Sequence, residues 1–338
     1  MDKEHILLDH GSGGRLTHNL INDLFFKYFD NEIIRKQTDS AFLKLESGNV
    51  AFTTDSYVVK PIFFPGGDIG KLAVSGTVND IAVTGADPQY LSCGFIIEEG
   101  LPFADLEKII KSMAKEAGRC NVQIVAGDTK VVERGACDKL FINTSGIGVV
   151  NKRYKDISCG ENICIGDKII VNGFIADHGI AILGARNELD FKAEIRSDTI
   201  GLNLLIKDLL GDTLKIRFMR DPTRGGVATV LCELARNREF GILLDEESLP
   251  VRESVKGVCE LLGFDPLYVA NEGKVIFVVA REDAGEVLRR LQENVLGRES
   301  RIIGEIVHTN PGSVVLQTSV GGKRLVEMLT GAQLPRIC

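Results

Sequence analysis

The chain has 338 residues, 44% of them hydrophobic and 26% charged, proportions of an ordinary globular protein long enough for two domains. A formal net charge of −7, 6% aromatic content and the absence of Trp argue against a nucleic-acid partner, which calls for basic surface and stacking platforms. No apolar run approaches the ~18 residues of a membrane span, and "MDKEHILLDHG" is too briefly apolar for a signal peptide, so a cytoplasmic protein is expected.

In chain order, "DHGSGGRLTHNLI" sets Gly11, Gly13 and Gly14 ahead of a helix starting near Leu16. Backbone N–H groups backed by a helix N-terminus bind phosphate well. The stretch is neither a Walker A loop nor G-x-G-x-x-G after a strand, and such glycines also serve in plain linkers. Strands are predicted at "AFLKL", "VAFTTDSYVV", "YLSCGFIIE", "VQIVAGDTKVV" and "LFINTSGIGVV" from β-branched and aromatic content. Helices are predicted at "DIGKLAVSGTVNDIAVTGA" and at the amphipathic "PFADLEKIIKSMAKEAGR".

The pattern turns polar and Gly-punctuated around "NKRYKDISCGENICIGD", which places a first domain at 1–155 and a second at 156–310. The second reads strand "KIIVNG", helices from "DHGIAILGA", "DTIGLNLLIKDLL" and "GGVATVLCELARN", then strand "FGILLD". Helix "VRESVKGVCELLG", strand "KVIFVVA", helix "EDAGEVLRRLQE" and strand "RIIGEIV" follow. Residues 311–338 are predicted as a hairpin turning at Gly321-Gly322 and, from Leu329, a flexible C-terminal tail. The whole is an α+β (α/β) two-domain chain with mixed sheets covered on one face by helices.

Eight cysteines are scattered without a C-x-x-C, so no disulfide framework is expected in a reducing compartment. Seven lie in or beside apolar segments and are expected to be small buried hydrophobes; Cys159 and Cys164 alone are too few for a zinc site. Cys338 differs, because it follows the unpatterned "LTGAQLPRI", and ten extended residues reach roughly 33 Å.

Five aspartates form a recurring pattern. Asp39 in "QTDSAF", Asp55 in "TTDSYVV" and Asp128 in "AGDTKVV" each precede Ser or Thr at or in an apolar strand. Asp80 is the only charge from Leu72 to Ala86, in a helix apolar on every side, and an ionised carboxylate there is costly unless paired or metal-bound. Asp221 precedes a helix start in "MRDPTRGGV", where Arg224 can grip a phosphate bidentately. Each aspartate alone reads equally as a cap or turn residue. Together, with few Lys or Arg nearby, they suit hard-cation chemistry in which Mg²⁺ arrives bridged to phosphates. His178, in "NGFIADHGIAIL", reads equally as a capping or surface residue and as a substrate contact.

The order "HGSGG", "TDSYVV", "VNDIAVTGADP", "AGDTKVV", "DPTRGG", "NEGK" and "PRIC" resembles the HypE family of hydrogenase maturation proteins, over His10 to Cys338. That family lies in the superfamily of aminoimidazole ribonucleotide synthetase and selenophosphate synthetase. The latter expects a reactive Cys near the first glycines, and none precedes Cys93. The resemblance implies a PurM-like fold, a homodimer formed through a sheet of the first domain, and ATP in the dimeric cleft. It implies a carbamoyl dehydratase: Cys338 receives a carbamoyl group from the carbamoyltransferase HypF, ATP drives its dehydration to a thiocyanate, and the cyano group passes to the HypC–HypD complex for the [NiFe]-hydrogenase iron. It makes Asp39, Asp55, Asp80, Asp128 and Asp221 candidates for holding Mg²⁺ and phosphates, with Asn79 and Thr129 as neighbours. Lys130 and Arg224 would meet the γ-phosphate, and Glu272 is the candidate base; Glu272 also reads as an exposed turn residue. The rival within the superfamily activates a free small-molecule amide or formyl group. The α-carboxylate of Cys338 is expected to oppose thiolate formation, with Arg336 offsetting it and Pro335 stiffening the tail.

Overall fold

The computed structural model describes residues 5–11, 15–36, 43, 49–150, 152–186, 195–210, 214–328 and 337–338. After short helical turns α1 (Arg15–Leu20) and α2 (Phe26–Phe29), the alternating segments of the first half pair as a sheet. Strands β1 (Asn49–Tyr57), β4 (Ala86–Glu98), β5 (Gln123–Val132) and β6 (Leu140–Val150) order as β1-β6-β4-β5, with a small ribbon of β2 (Phe63–Phe64) and β3 (Gly67–Asp68) beside them. Only β4 and β5 run parallel, joined by helix α4 (Phe103–Arg119).

Helix α3 (Ile69–Val83) lies on this sheet. Asp68 caps it, accepting from the N–H groups of Gly70 and Lys71, and every residue except Lys71 and Asp80 is buried, as its all-round apolar sequence predicts. The approach is close: a Cβ at Gly148 would stand 2.4 Å from Ile81 Cγ2, so glycine there lets helix and strand touch. Among the described residues the opposite face of the sheet carries no helix. Val50, Phe52 and Ile96 project from it, Phe52 at 67% exposure.

The second half builds a seven-stranded sheet ordered β13-β12-β9-β11-β7-β10-β8, where β7 is Lys168–Val171, β8 Ile216–Arg220, β9 Gly241–Asp245, β10 Ile276–Val279, β11 Arg301–Val307, β12 Val314–Gln317 and β13 Lys323–Val326. Both faces are covered, a departure from the one-face expectation. Ile169 and Val171 pack with α7 (Gly226–Ala235), whereas Ile170 and Phe277 pack with α6 (Asn203–Leu210) and α9 (Ala284–Glu293). Helices α5 (Asp177–Ala185) and α8 (Glu253–Leu262) instead join the core of the first half, so one apolar cluster spans both halves.

The hairpin forms as predicted, with Val314–Gln317 antiparallel to Lys323–Val326, and it extends the second sheet. Three expectations are corrected. The strand β8 was not foreseen, because its two arginines mask the apolar pattern of "IRFMR". Cys159 and Cys164 are exposed rather than buried, lying in the polar stretch between the sheets. The helix predicted from Asp198 starts only at Asn203, because side chains bind the backbone before it. Asn79 accepts from Leu202 N–H at 2.7 Å and donates to the carbonyls of Ile200 and Glu272, while Glu116 accepts from Gly201 N–H at 2.8 Å. The predicted strand "AFLKL" falls mostly outside the described residues, as does most of the tail, 329–336.

The Asn79 amide thus ties α3 to the second half. Asn79→Ala would strand a buried N–H and two carbonyls, at about 1–3 kcal/mol per stranded group before relaxation. The expected result is a loss of about 3 kcal/mol, read as a lower urea midpoint with an unchanged m-value.

Candidate functional site

Four elements meet at one junction between the halves. The end of β1 brings Asp55, the last turn of α3 brings Asp80, the β8–α7 turn brings Asp221 and Arg224, and the turn before β10 brings Glu272. Asp80 accepts from Thr53 Oγ1 at 3.0 Å. Burial pushes its carboxyl up to about 7, with the charges of Asp221 and Asp55 adding to the effect and Thr53 and Arg224 opposing it. Burial likewise raises Asp221 to about 6, partly offset by its backbone N–H and Arg220.

Glu272 is buried, at 3% exposure, rather than exposed in a turn. Burial, then the charges of Asp198, Asp221, Asp55 and Asp80, holds its carboxyl well above the ordinary carboxylate range. Its backbone is pinned by Asp198, whose Oδ1 accepts from Glu272 N–H at 3.1 Å and whose Oδ2 pairs with Lys274 Nζ at 2.9 Å. Burial alone would raise Asp198, but Lys274 and His178 outweigh it and keep this carboxyl below its usual value. A Cβ on Gly273 would stand 2.0 Å from Asp198 O, so the turn needs glycine. Asp198 and Lys274 carry no motif in the sequence; only the "NEGK" order hinted at the second.

The last two residues of the chain enter this junction. Ile337 is 8% exposed and belongs to the spanning core, its carbonyl 2.6 Å from His178 Nε2. The Cys338 carbonyl accepts from Val58 N–H at 3.2 Å. Burial pushes the Cys338 thiol up to about 12, with Glu272 and Asp55 raising it further and Arg224 opposing. Burial, more than the chain's own carboxylate, therefore suppresses the thiolate, and Arg224 fills the compensating role expected of Arg336, which lies outside the described residues.

The remaining candidates are placed elsewhere. The pairing Ser56–Asn143–Gly94–Asp128 across the four strands puts Asp128 on the open face, opposite Asp55. There Asp128 pairs with Lys130 at 3.0 Å, both well exposed, while Thr129 lies on the helix-facing side. Asn79 has both amide hydrogens engaged by backbone carbonyls, which leaves none for a phosphate. Gly11 ends a 3-10 turn; Gly13, Gly14 and Asp39 lie outside the described residues. Among the described residues no three His, Cys, Asp or Glu side chains stand close enough to hold a metal by themselves.

Asp80 and Asp221 titrate above their unfolded values, so the native state binds protons more tightly than the unfolded chain. That stabilisation is complete below about pH 4 and is lost as pH rises through 6 and then 7. Asp80→Asn should therefore match the wild type near pH 4 and exceed it near pH 8 by about 1–2 kcal/mol in melting experiments. Parallel pH profiles for the two proteins would contradict the assignment.

Residues 37–150 match the family of AIR synthase related proteins, N-terminal domain, and residues 165–317 match its C-terminal domain. The chain is 49% identical over 332 residues to carbamoyl dehydratase HypE of Bradyrhizobium diazoefficiens, covering 98% of this chain and 95% of that one. It superposes on the crystal structure of hydrogenase maturation protein HypE in complex with ATP with a TM-score of 0.93, at 49% identity, covering 98% and 99% of the two chains. A chain of the HypE–HypF complex superposes with a TM-score of 0.78 at 48% identity, over 92% of this chain and 99% of that one. At this identity, and over nearly its whole length, the chain belongs to the carbamoyl dehydratase HypE family.

Proposed function

We propose that this chain is an ATP-dependent carbamoyl dehydratase of [NiFe]-hydrogenase maturation, acting on a carbamoyl group carried by its own Cys338. The observation that carries this reading is the seating of Cys338 beside Glu272, Asp55 and Arg224. A free small-molecule substrate would give the last residues no reason to occupy that place. The reaction is R–S–C(=O)–NH₂ + ATP giving R–S–C≡N + ADP + phosphate. The carbamoyl oxygen attacks the γ-phosphorus and leaves with it, and the nitrogen gives up both its protons.

Glu272 takes a nitrogen proton; burial and like charges raise its proton affinity above that of an ordinary carboxylate, which makes it the stronger base once ionised. Arg224 meets the negative charge that grows on the transferring oxygens, and Lys130, on the opposite face of its own sheet, would assist only from the other copy of a homodimer. The buried Ile337 closes the junction behind the thiol and keeps water from the activated intermediate. The docked thiol is neutral, so its loading by the carbamoyltransferase HypF takes place with the tail withdrawn. Once carbamoylated, the sulfur carries no titratable proton and returns without a charge penalty.

The raised carboxyls of Asp80 and Asp221, beside Asp55, fit a site that lacks its counter-charge. With Asp39 they would hold Mg²⁺, phosphate oxygens and water completing its shell, and the ion would neutralise the phosphates; Asp128, on the opposite face of its own sheet, would join such a site only from the other copy of a homodimer. Gly11, Gly13, Gly14 and Thr129 are assigned to the phosphates as well. The nucleotide-binding and dimerising unit is 1–155, the second unit 156–310, and 311–338 carries the hairpin and the tail. The open sheet face with Val50, Phe52 and Ile96 supports a homodimer, which would also bring Asp128 and Lys130 of each copy to the interface. The HypC–HypD complex receives the cyano group, and the setting is cytoplasmic.

Intact-mass measurement tests the reaction. Incubation with HypF, carbamoyl donor and ATP should add a carbamoyl group to Cys338 and then remove water. Glu272→Gln should load normally but dehydrate about 10²–10⁴-fold more slowly. ATP turnover that survives deletion of Cys338 would favour the free-substrate reading. Phe52→Asp should shift the chain from dimer to monomer in sedimentation experiments.

A further inference from the structure

His178 opens α5 fully buried, its ring edge-on to Phe64 with centroids 5.8 Å apart. Its Nε2 lies 2.6 Å from the Ile337 carbonyl and its Nδ1 2.8 Å from Ser197 Oγ. A carbonyl only accepts, so Nε2 carries the proton and Nδ1 accepts from the Ser197 hydroxyl. Ser197 in turn lies 2.6 Å from the Thr199 hydroxyl and accepts Thr199 N–H at 3.1 Å. The hydroxyls thus fix the one tautomer that can hold the tail.

The helix start is pre-set as well. Ala176 stands at φ +73°, a left-handed conformation unfavourable for a residue with a side chain, and its N–H donates to Asn271 Oδ1 at 2.7 Å. Asn271 adjoins Glu272, so a single turn fixes both the base and the histidine.

We propose that His178 is the positioning residue that registers the tail: its grip on the Ile337 carbonyl brings the side chain of the following residue, Cys338, to Glu272. The contact is to main chain and touches neither the thiol nor a group carried on it. The same latch therefore serves the tail before loading, after loading and after dehydration, and burial lowers the proton affinity of the imidazole. The kinetic consequence rests on the dehydratase reading; the docking consequence does not.

Both are measured on the full chain. Iodoacetamide labelling of Cys338 is followed by the mass of the peptide released after Glu327. His178→Ala should label about tenfold faster than wild type, the loss of about 1.4 kcal/mol of docking. His178→Gln, which keeps an N–H donor near the Nε2 position, should lie closer to wild type. In single turnovers of pre-carbamoylated protein, His178→Ala should slow dehydration about tenfold with half-saturating ATP unchanged, and His178→Gln should recover much of the rate.

Wild-type labelling in a folded His178→Ala protein would overturn the latch, as would equal losses in both variants. If His178→Ala fails to fold, Ser197→Ala replaces it: loss of the donor to Nδ1 should speed labelling about threefold, and unchanged labelling would again overturn the proposal. Faster labelling in a chain whose wild type never dehydrates would sink the dehydratase reading and leave the latch standing.

Discussion

A stretch of irregular backbone at 198–202, largely buried between the two halves, has to satisfy its polar groups without a helix or a ladder. Unpaired groups there would be as costly as lost hydrogen bonds, so every neighbour is bent to the task. Asn79 and Glu116 take the N–H groups of Leu202 and Gly201, and Arg119 reaches the Gly201 carbonyl at 2.7 Å. Asp198 at the other end holds the N–H groups of Glu272 and Gly273. The position of the proposed base is thus a by-product of a packing requirement, and the same bonds that join the halves aim the chemistry.

The junction gathers carboxylates that repel one another. Elsewhere in the chain acids find partners, as Asp167 does with Arg217 and Glu116 with Arg119. At the site only Asp198 is so compensated, by Lys274, while Asp80, Asp221 and Glu272 are left with raised proton affinity. Native stability is given up locally for groups whose ionisation can change during a cycle. Arg224 is the one cation whose charge both Asp80 and Cys338 are seen to feel among the described residues.

Much of this was legible in the sequence where burial and charge conflict. Asp80 announced itself as a lone charge on a helix with no solvent face, and the structure finds it at the junction with its carboxyl raised. Asp55 and Asp128 share the same Asp-hydroxyl pattern, yet strand register sends them to opposite faces, and register depends on pairings that one sequence does not display. The resemblance sets Asn79 beside the phosphates, and only the segment of this chain at 200–202, which one sequence does not place, shows its amide given to backbone. Asp198 was hidden inside an apparent helix, since propensity cannot foresee side chains from far along the chain taking the first-turn donors.

The seat of Ile337 in the core also sets how the substrate is counted. A carbamoyl group borne on the same chain has no bulk concentration, only an effective one. Occupancy of the site then depends on the docking equilibrium of the tail and not on the concentration of a free substrate. A competing peptide has to outbid that local concentration, whereas a protein that captures the withdrawn tail needs only to bind faster than it returns.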